Sequence, residues 1–214
     1  TYSIEALMHD GQALQSGTTH YFGQNFSEAF DIKFTDENNQ LQFAYQTSWG
    51  VSTRLIGAVI MVHGDDEGLV MPPYVAPTQI VIIPIQGQKV EVQEASQNLL
   101  MDLKKSGYRV ILDDSSKTAG WKFAEYEMKG VPIRIEVGPR DLERGEVTLV
   151  TRHNRHKFHM ALGDVVEKMD GLLKTIHDTL YQNALNHVQK NTYEAKTYDE
   201  FKNYIKRGGY VALS

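Results

Sequence analysis

The sequence predicts an α/β protein, α+β overall, and three observations predict it. Residues 80–180 alternate apolar, β-branched runs with stretches of helical period. Residues 1–73 instead carry short patterned runs set apart by turn residues. Between the two, Pro72, Pro73 and Pro77 break the chain, because each proline pushes its predecessor away from helix.

Taken in order, residues 29–34 and 41–45 flank the polar cluster Asp36-Glu37-Asn38-Asn39 and read as a β-hairpin. Residues 55–62 are apolar enough for a buried helix or a buried strand, which periodicity does not separate. Residues 80–85 read as a strand covered on both faces. Residues 92–105 follow as a helix with Ala95, Leu99, Leu100 and Leu103 on one face and Gly107 as its cap. Residues 108–112 are the next strand. A helix through Trp121, Phe123, Ala124, Tyr126 and Met128 ends at Gly130, with Trp121 read as core. In residues 131–137, Ile133, Ile135 and Val137 face one way, Arg134 and Glu136 the other. Residues 147–151 are a strand, and a long helix begins near Leu162. Residues 198–206 are helical, closed by Gly208-Gly209. The expected organisation is therefore residues 1–73, 78–180 and 181–214, the last too short for an independent domain.

Composition narrows the function. The chain of 214 residues is long enough for one or two domains that bury a core. No apolar run approaches the roughly 18 residues of a membrane span, so no membrane partner is expected. Absence of cysteine removes disulfides and thiolate metal sites and fits a cytoplasmic location. Residues 1–78 hold two Lys/Arg against nine Asp/Glu, which argues against general nucleic-acid affinity there. Residues 79–178 hold fifteen of each and leave room for a local basic face.

Several segments carry chemistry. Gln15–His20 reads as a turn-rich stretch with an amide, hydroxyls and an imidazole, a mixture suited to a small polar ligand and equally to an ordinary loop. Arg54 stands alone in an uncharged run from Leu41 to Val62, so either an anionic ligand or a structural carboxylate is expected to meet it. The acidic triplet Asp65-Asp66-Glu67 reads as a solvated turn rather than a Mg²⁺ site. His153, His156 and His159 fall around a basic turn, residues 152–157, and read as a solvated hairpin whose cations touch an RNA backbone, not as a metal site.

The segments Gln15-Ser16-Gly17-Thr18-Thr19-His20, Thr47-Ser48-Trp49-Gly50-Val51-Ser52-Thr53-Arg54, Gly68-Leu69-Val70-Met71-Pro72-Pro73 and Gly138-Pro139-Arg140-Asp141 resemble, in this order and spacing, the prolyl-tRNA synthetases, class II aminoacyl-tRNA synthetases. The resemblance implies that residues 1–73 are the C-terminal part of an antiparallel catalytic sheet with motif 3. It makes 78–180 a mixed-sheet anticodon-binding domain and 181–214 the beginning of a truncated C-terminal extension. It implies that Arg54 holds ATP phosphates as the catalytic arginine, that Gln15 and Thr18 contact ATP, and that His20, Trp49 and Gly50 shape the proline pocket. Anticodon guanines fall to Glu136, Arg140 and Asp141, a fork of donors beside carboxylates, with Lys122 and Phe123 supporting the stem-loop. The implied intact enzyme is a homodimer that uses ATP with Mg²⁺ and L-proline to charge proline tRNA. Motifs 1 and 2 are absent, so the chain alone is expected to be inactive, with no metal site of its own. The alternative is a non-catalytic tRNA-binding accessory module with a synthetase-derived fold.

Overall fold

The structure, a computed structural model, describes residues 1–213. The chain opens with β1 (Tyr2–Leu7) and β2 (Ala13–Gly23), followed by a short helix α1 (Asn25–Ala29). The expected hairpin is β3 (Lys33–Thr35) with β4 (Leu41–Phe43). Its turn is set by Asp36, whose carboxylate accepts from the Asn38 and Gln40 amides at 2.9 Å. Strand β5 (Gln46–Val51) then pairs with β2, giving an antiparallel sheet in the order β1-β2-β5. Gln15–His20, expected as a loop, is thus the centre of a sheet. The β-branched Thr18 and Thr19 suit a strand paired on both sides, and Gly17 passes where a Cβ would lie 3.1 Å from the Val51 side chain. The ambiguous apolar run is a helix, α2 (Arg54–His63), started by Ser52, whose hydroxyl accepts from the Arg54 amide at 3.3 Å.

The alternating region follows its expected order: β6 (Ile80–Pro84), α3 (Val90–Lys105), β7 (Val110–Leu112), α4 (Ala119–Met128), β8 (Ile133–Val137), a one-turn α5 (Pro139–Leu142), β9 (Glu146–Thr151), β10 (Lys157–Ala161) and the long α6 (Val165–Lys190). The sheet order is β10-β9-β8-β6-β7, with β6 parallel to both β7 and β8 and the β8-β9-β10 side antiparallel. Apolar residues of α3 and α6 pack with Ile80, Ile82, Ile133, Ile135 and Leu149 on one face. On the other face Phe123 and Tyr126 of α4 pack with Val81, Ile83, Ile85 and Val131. Over β8 and β9 that face turns polar, with Glu136 and Thr148 buried. Gly130 ends α4 at φ +68°, and a Cβ there would sit 2.5 Å from the Leu69 carbonyl carbon.

The chain closes with β11 (Thr192–Ala195), α7 (Tyr198–Ile205) and β12 (Tyr210–Leu213), a parallel strand pair bridged by a helix that starts in a capping box of Thr197 and Glu200.

Two compact units result, one made of residues 1–62 with residues 188 onward, the other of residues 63–187. These limits differ from the breaks that composition suggested. Residues 63–71 join the second unit because Leu69 and Met71 donate backbone bonds to Met128 and Gly130 carbonyls at 2.9 and 3.2 Å. The tail joins the first because Gly209 donates to the Gly11 carbonyl at 2.7 Å and the Tyr210 hydroxyl to that of Glu5 at 3.0 Å.

Candidate functional site

In the first unit, Gln15, Thr18, Gly50 and Arg54 line a cleft of about 330 Å³, together with Ser16, Gly17, Val51 and Ser52. Pairing produces this grouping: Thr18 lies opposite Gly50, and α2 begins three residues after β5. The Arg54 guanidinium donates to the Gln15 carbonyl at 3.2 Å. Among the described residues no carboxylate pairs with it, and it is exposed rather than buried. A fixed guanidinium with spare donors, beside a hydroxyl and a glycine backbone, is suited to phosphate.

His20 shares the Thr18–Gly50 face, since residues two apart on a strand point the same way. Its ring stacks on Phe22 at 5.4 Å, and Nδ1 lies 3.0 Å from the Thr1 hydroxyl. Trp49 does not join it. Trp49 pairs with Thr19, which places the indole on the opposite face of the sheet, 77% exposed beside Tyr2. The two residues expected to share one pocket are separated by the thickness of the sheet.

In the second unit, the sheet face on the α4 side carries a polar array over β8, β9 and β10. Arg134 and Glu136 of β8, Thr148 of β9, and Lys157 and His159 of β10 align across the three strands. The Arg134 guanidinium lies 4.1 Å from the Phe123 ring centroid. Glu136 accepts from Arg134 Nε at 3.0 Å and from Lys157 Nζ at 2.9 Å, and is buried. Asp141 accepts from Arg144 at 2.7 Å and from the Thr148 hydroxyl at 3.0 Å, and Thr148 in turn lies 3.1 Å from His159 Nδ1. Arg140 is exposed, and no side-chain partner for it exists among the described residues.

Three expectations need correction here. Lys122 is 3% exposed, donating to the Asp113 carbonyl at 2.7 Å with the Asp113 carboxylate at 3.4 Å, so its charge is spent inside. The neighbouring Tyr126 hydroxyl, desolvated and bonded to Asp113, is pushed up to about 12. Trp121 is not core but 47% exposed, with Lys117 Nζ 5.3 Å from its ring. Glu136 is not a free acceptor, because two cations already share it.

The basic hairpin is also not a solvated one. Arg152 is buried, donates to both Asp65 carboxylate oxygens at 2.5 and 2.7 Å, and to the Glu127 carbonyl at 2.8 Å. Arg155 pairs with Glu67, and with Glu127 at 3.3 Å. Asp65 and Glu67 of the acidic triplet are thus the counter-charge of the basic turn rather than part of a bare solvated loop. Arg152 holds the Asp65 carboxyl down to about 2. His153, His156 and His159 take separate surroundings: His156 stacks on Phe158, and burial lowers the pKa of His153. Among the described residues no three His, Asp or Glu side chains gather as metal ligands would.

Arg134 and Lys157 are not among the residues that the resemblance assigns to the anticodon. Their signal was the alternation of Arg134 with Ile133 and Ile135, which marks a wet face opposite a dry one.

Comparison with known proteins fits this geometry. Residues 79–172 match the anticodon binding domain family. Proline–tRNA ligases from Aster yellows witches'-broom phytoplasma and Onion yellows phytoplasma are 59% and 58% identical over the whole chain. The prolyl-tRNA synthetase of Cryptosporidium parvum, in complex with L-proline and AMP, superposes on 99% of the chain with a TM-score of 0.93 at 39% identity. Over its whole length the chain matches prolyl-tRNA synthetases. It corresponds to the C-terminal part of those enzymes and spans 45% of the two phytoplasma ligases and 46% of the Cryptosporidium chain. Both the Arg54 cleft and the polar face lie within the portion shared with the synthetases. Among the described residues no helix is long and apolar enough to cross a membrane.

Proposed function

We propose that this chain serves a proline–tRNA ligase, contributing one wall of the ATP and proline site and the domain that grips the anticodon loop of proline tRNA. The observation that carries the reading is the polar sheet face, with Arg134 beneath an exposed Lys157 and His159 and with Arg140, which has no side-chain partner among the described residues, all on residues that match the anticodon binding domain family. Arg134 over Phe123 offers a guanidinium and a ring edge to unstacked bases, and Arg140 offers a free cation to phosphate. Asp141 presents a carboxylate for guanine N1 and N2. Glu136 acts from beneath, holding Arg134 and Lys157 at a fixed separation.

In the first unit, Arg54 takes the ATP phosphates, with Gln15 and Thr18 in the same cleft, and His20 and Gly50 facing the proline side. In the reaction the proline carboxylate attacks the α-phosphorus, the bond to pyrophosphate breaks, and the tRNA terminal hydroxyl then displaces AMP from prolyl-adenylate. A guanidinium beside the phosphates stabilises charge that grows in that first step. Mg²⁺ enters with ATP as substrate. Trp49 is left out, because its face of the sheet is the other one. The whole enzyme is read as a cytoplasmic homodimer. The Arg54 cleft favours a ligase over an accessory RNA-binding module, which has no use for a phosphate site.

Binding of the chain to proline tRNA, beside a copy with both anticodon guanines replaced, tests the reading. Binding that collapses on replacement supports it, and equal binding of both overturns the anticodon assignment. Proline-dependent ATP–pyrophosphate exchange by the chain alone is expected to be absent.

A further inference from the structure

A second concavity lies in the second unit, away from the polar face. It has a volume of about 430 Å³ and sits beyond the carboxyl ends of β6 and β7, between Pro84 and Leu112. Strand β6 continues to β7 on one side and is joined by β8 on the other. The connection reverses direction at β6, and crevices at such points are where open α/β sheets hold ligands.

The lining states the ligand's chemistry. Gln86, Gln88, Gln93 and Gln97 bring four amides to the crevice, and Ser116 adds a hydroxyl. None of these side chains has a hydrogen-bond partner among the described residues. Lys122 at the floor is neutralised by Asp113, while Asp114 and Lys117 at the rim offset each other. A crevice without surplus charge does not select phosphate, and one with so many amides does not select an apolar ligand. Amides donate and accept side by side, which matches the edge of a nucleobase, adenine best, through its N6 and N7 positions.

We propose that this crevice receives an unstacked nucleobase of the bound RNA, outside the two anticodon guanines. The inference rests on the anticodon-binding reading above. Because β6, β7 and β8 are parallel, the crevice opens on the same sheet edge as Arg140, which follows β8 directly. Strand β8 is the neighbour of β6, so the two places share the carboxyl end of adjacent strands. RNA held at Arg140 thus delivers a neighbouring base to the glutamines.

The test uses an RNA hairpin carrying the proline anticodon, with each loop nucleotide outside the guanines made abasic in turn. One such replacement is expected to weaken binding to the chain about tenfold, the usual cost of a lost base contact. The same replacement costs nothing further in the Gln93→Leu/Gln97→Leu variant or in Ser116→Trp, which fills the crevice. All three side chains are exposed, so the variants keep the fold. Additive losses in variant and replacement overturn the proposal while leaving guanine recognition intact. Independently, adenosine at millimolar concentration is expected to shift the side-chain amide resonances of Gln93 and Gln97 in the ¹⁵N-labelled chain. Unmoved resonances overturn the crevice even if the hairpin fails to bind.

Discussion

The two compact units differ in how they treat their apolar residues. The second unit surrounds β6 so completely that Ile80, Val81, Ile82 and Ile83 have no exposed surface, with helices α3 and α6 on one face and α4 on the other. The first unit leaves Tyr2, Ile4, Trp49 and Val51 more than half exposed on one face of its sheet, and Ile56 of α2 likewise. A sheet covered on both sides is a domain with its own core. A sheet with one bare apolar face draws its order from strand pairing and from the tail that joins it. Within this chain, stability therefore resides mainly in the second unit, whereas the Arg54 cleft stands on the more weakly supported one.

The sharpest break of that comparison is a matched pair of truncations. Ile82→Ala is expected to cost about 2–5 kcal/mol, because it empties a closed core. Ile4→Ala, at a 67% exposed site, is expected to stay within about 0.5 kcal/mol. Urea denaturation of both variants measures the difference, and equal losses would refute it.

Next is the ion pair that ties residues 65–67 to the β9–β10 hairpin. Arg152→Ala is expected to cost about 2 kcal/mol, the scale for hydrogen bonds to a charged group. Asp65 adds a pH signature. Its folded pKa lies at about 2, below the ordinary 3.8, so its contribution is complete above pH 3.8 and disappears as pH falls towards 2. Stability measured between pH 5 and 2 should fall more steeply in the native chain than in Asp65→Asn.

Smaller effects compare the helix caps. Thr118→Ala removes the acceptor for the Trp121 amide and Thr197→Ala that for Glu200, each worth about 1 kcal/mol. The first is expected to lower the main thermal transition. The second should loosen only residues 188–213, seen as faster proteolysis of the tail. Smallest is Arg54→Ala, expected to change stability by less than about 0.5 kcal/mol, while abolishing ATP-dependent activity when placed in the whole ligase.

Much of the second unit was legible because its signals are local. Apolar runs, Gly107 and Gly130 mark strands and helix ends within a few residues, and helical spacing put Leu99 and Leu103 correctly in the core. What escaped depends on partners far along the chain. Arg152 meets Asp65 across 87 residues, and no local pattern distinguishes a buried cation from a solvated one. Lys122 is buried because Asp113 waits nine residues earlier at the end of β7, while Trp121 beside it turns out to solvent. Trp49 escaped for another reason. Its position in the motif is plain, but its side of the sheet follows from strand register, and a shift of one residue exchanges the faces. Family resemblance singled out Gln15, Thr18 and Arg54 for one ligand and Gly50 for its neighbour, and the structure groups all four in one concavity.

Strand β6 has one more consequence. It is paired with β7 on one edge and β8 on the other, and the side chains of Ile80, Val81, Ile82 and Ile83 meet no water. No local fraying releases them, so they exchange hydrogen for deuterium only when the whole unit opens. The exchange rate of the Ile82 amide is thus a gauge of global opening, readable in the native protein without denaturant.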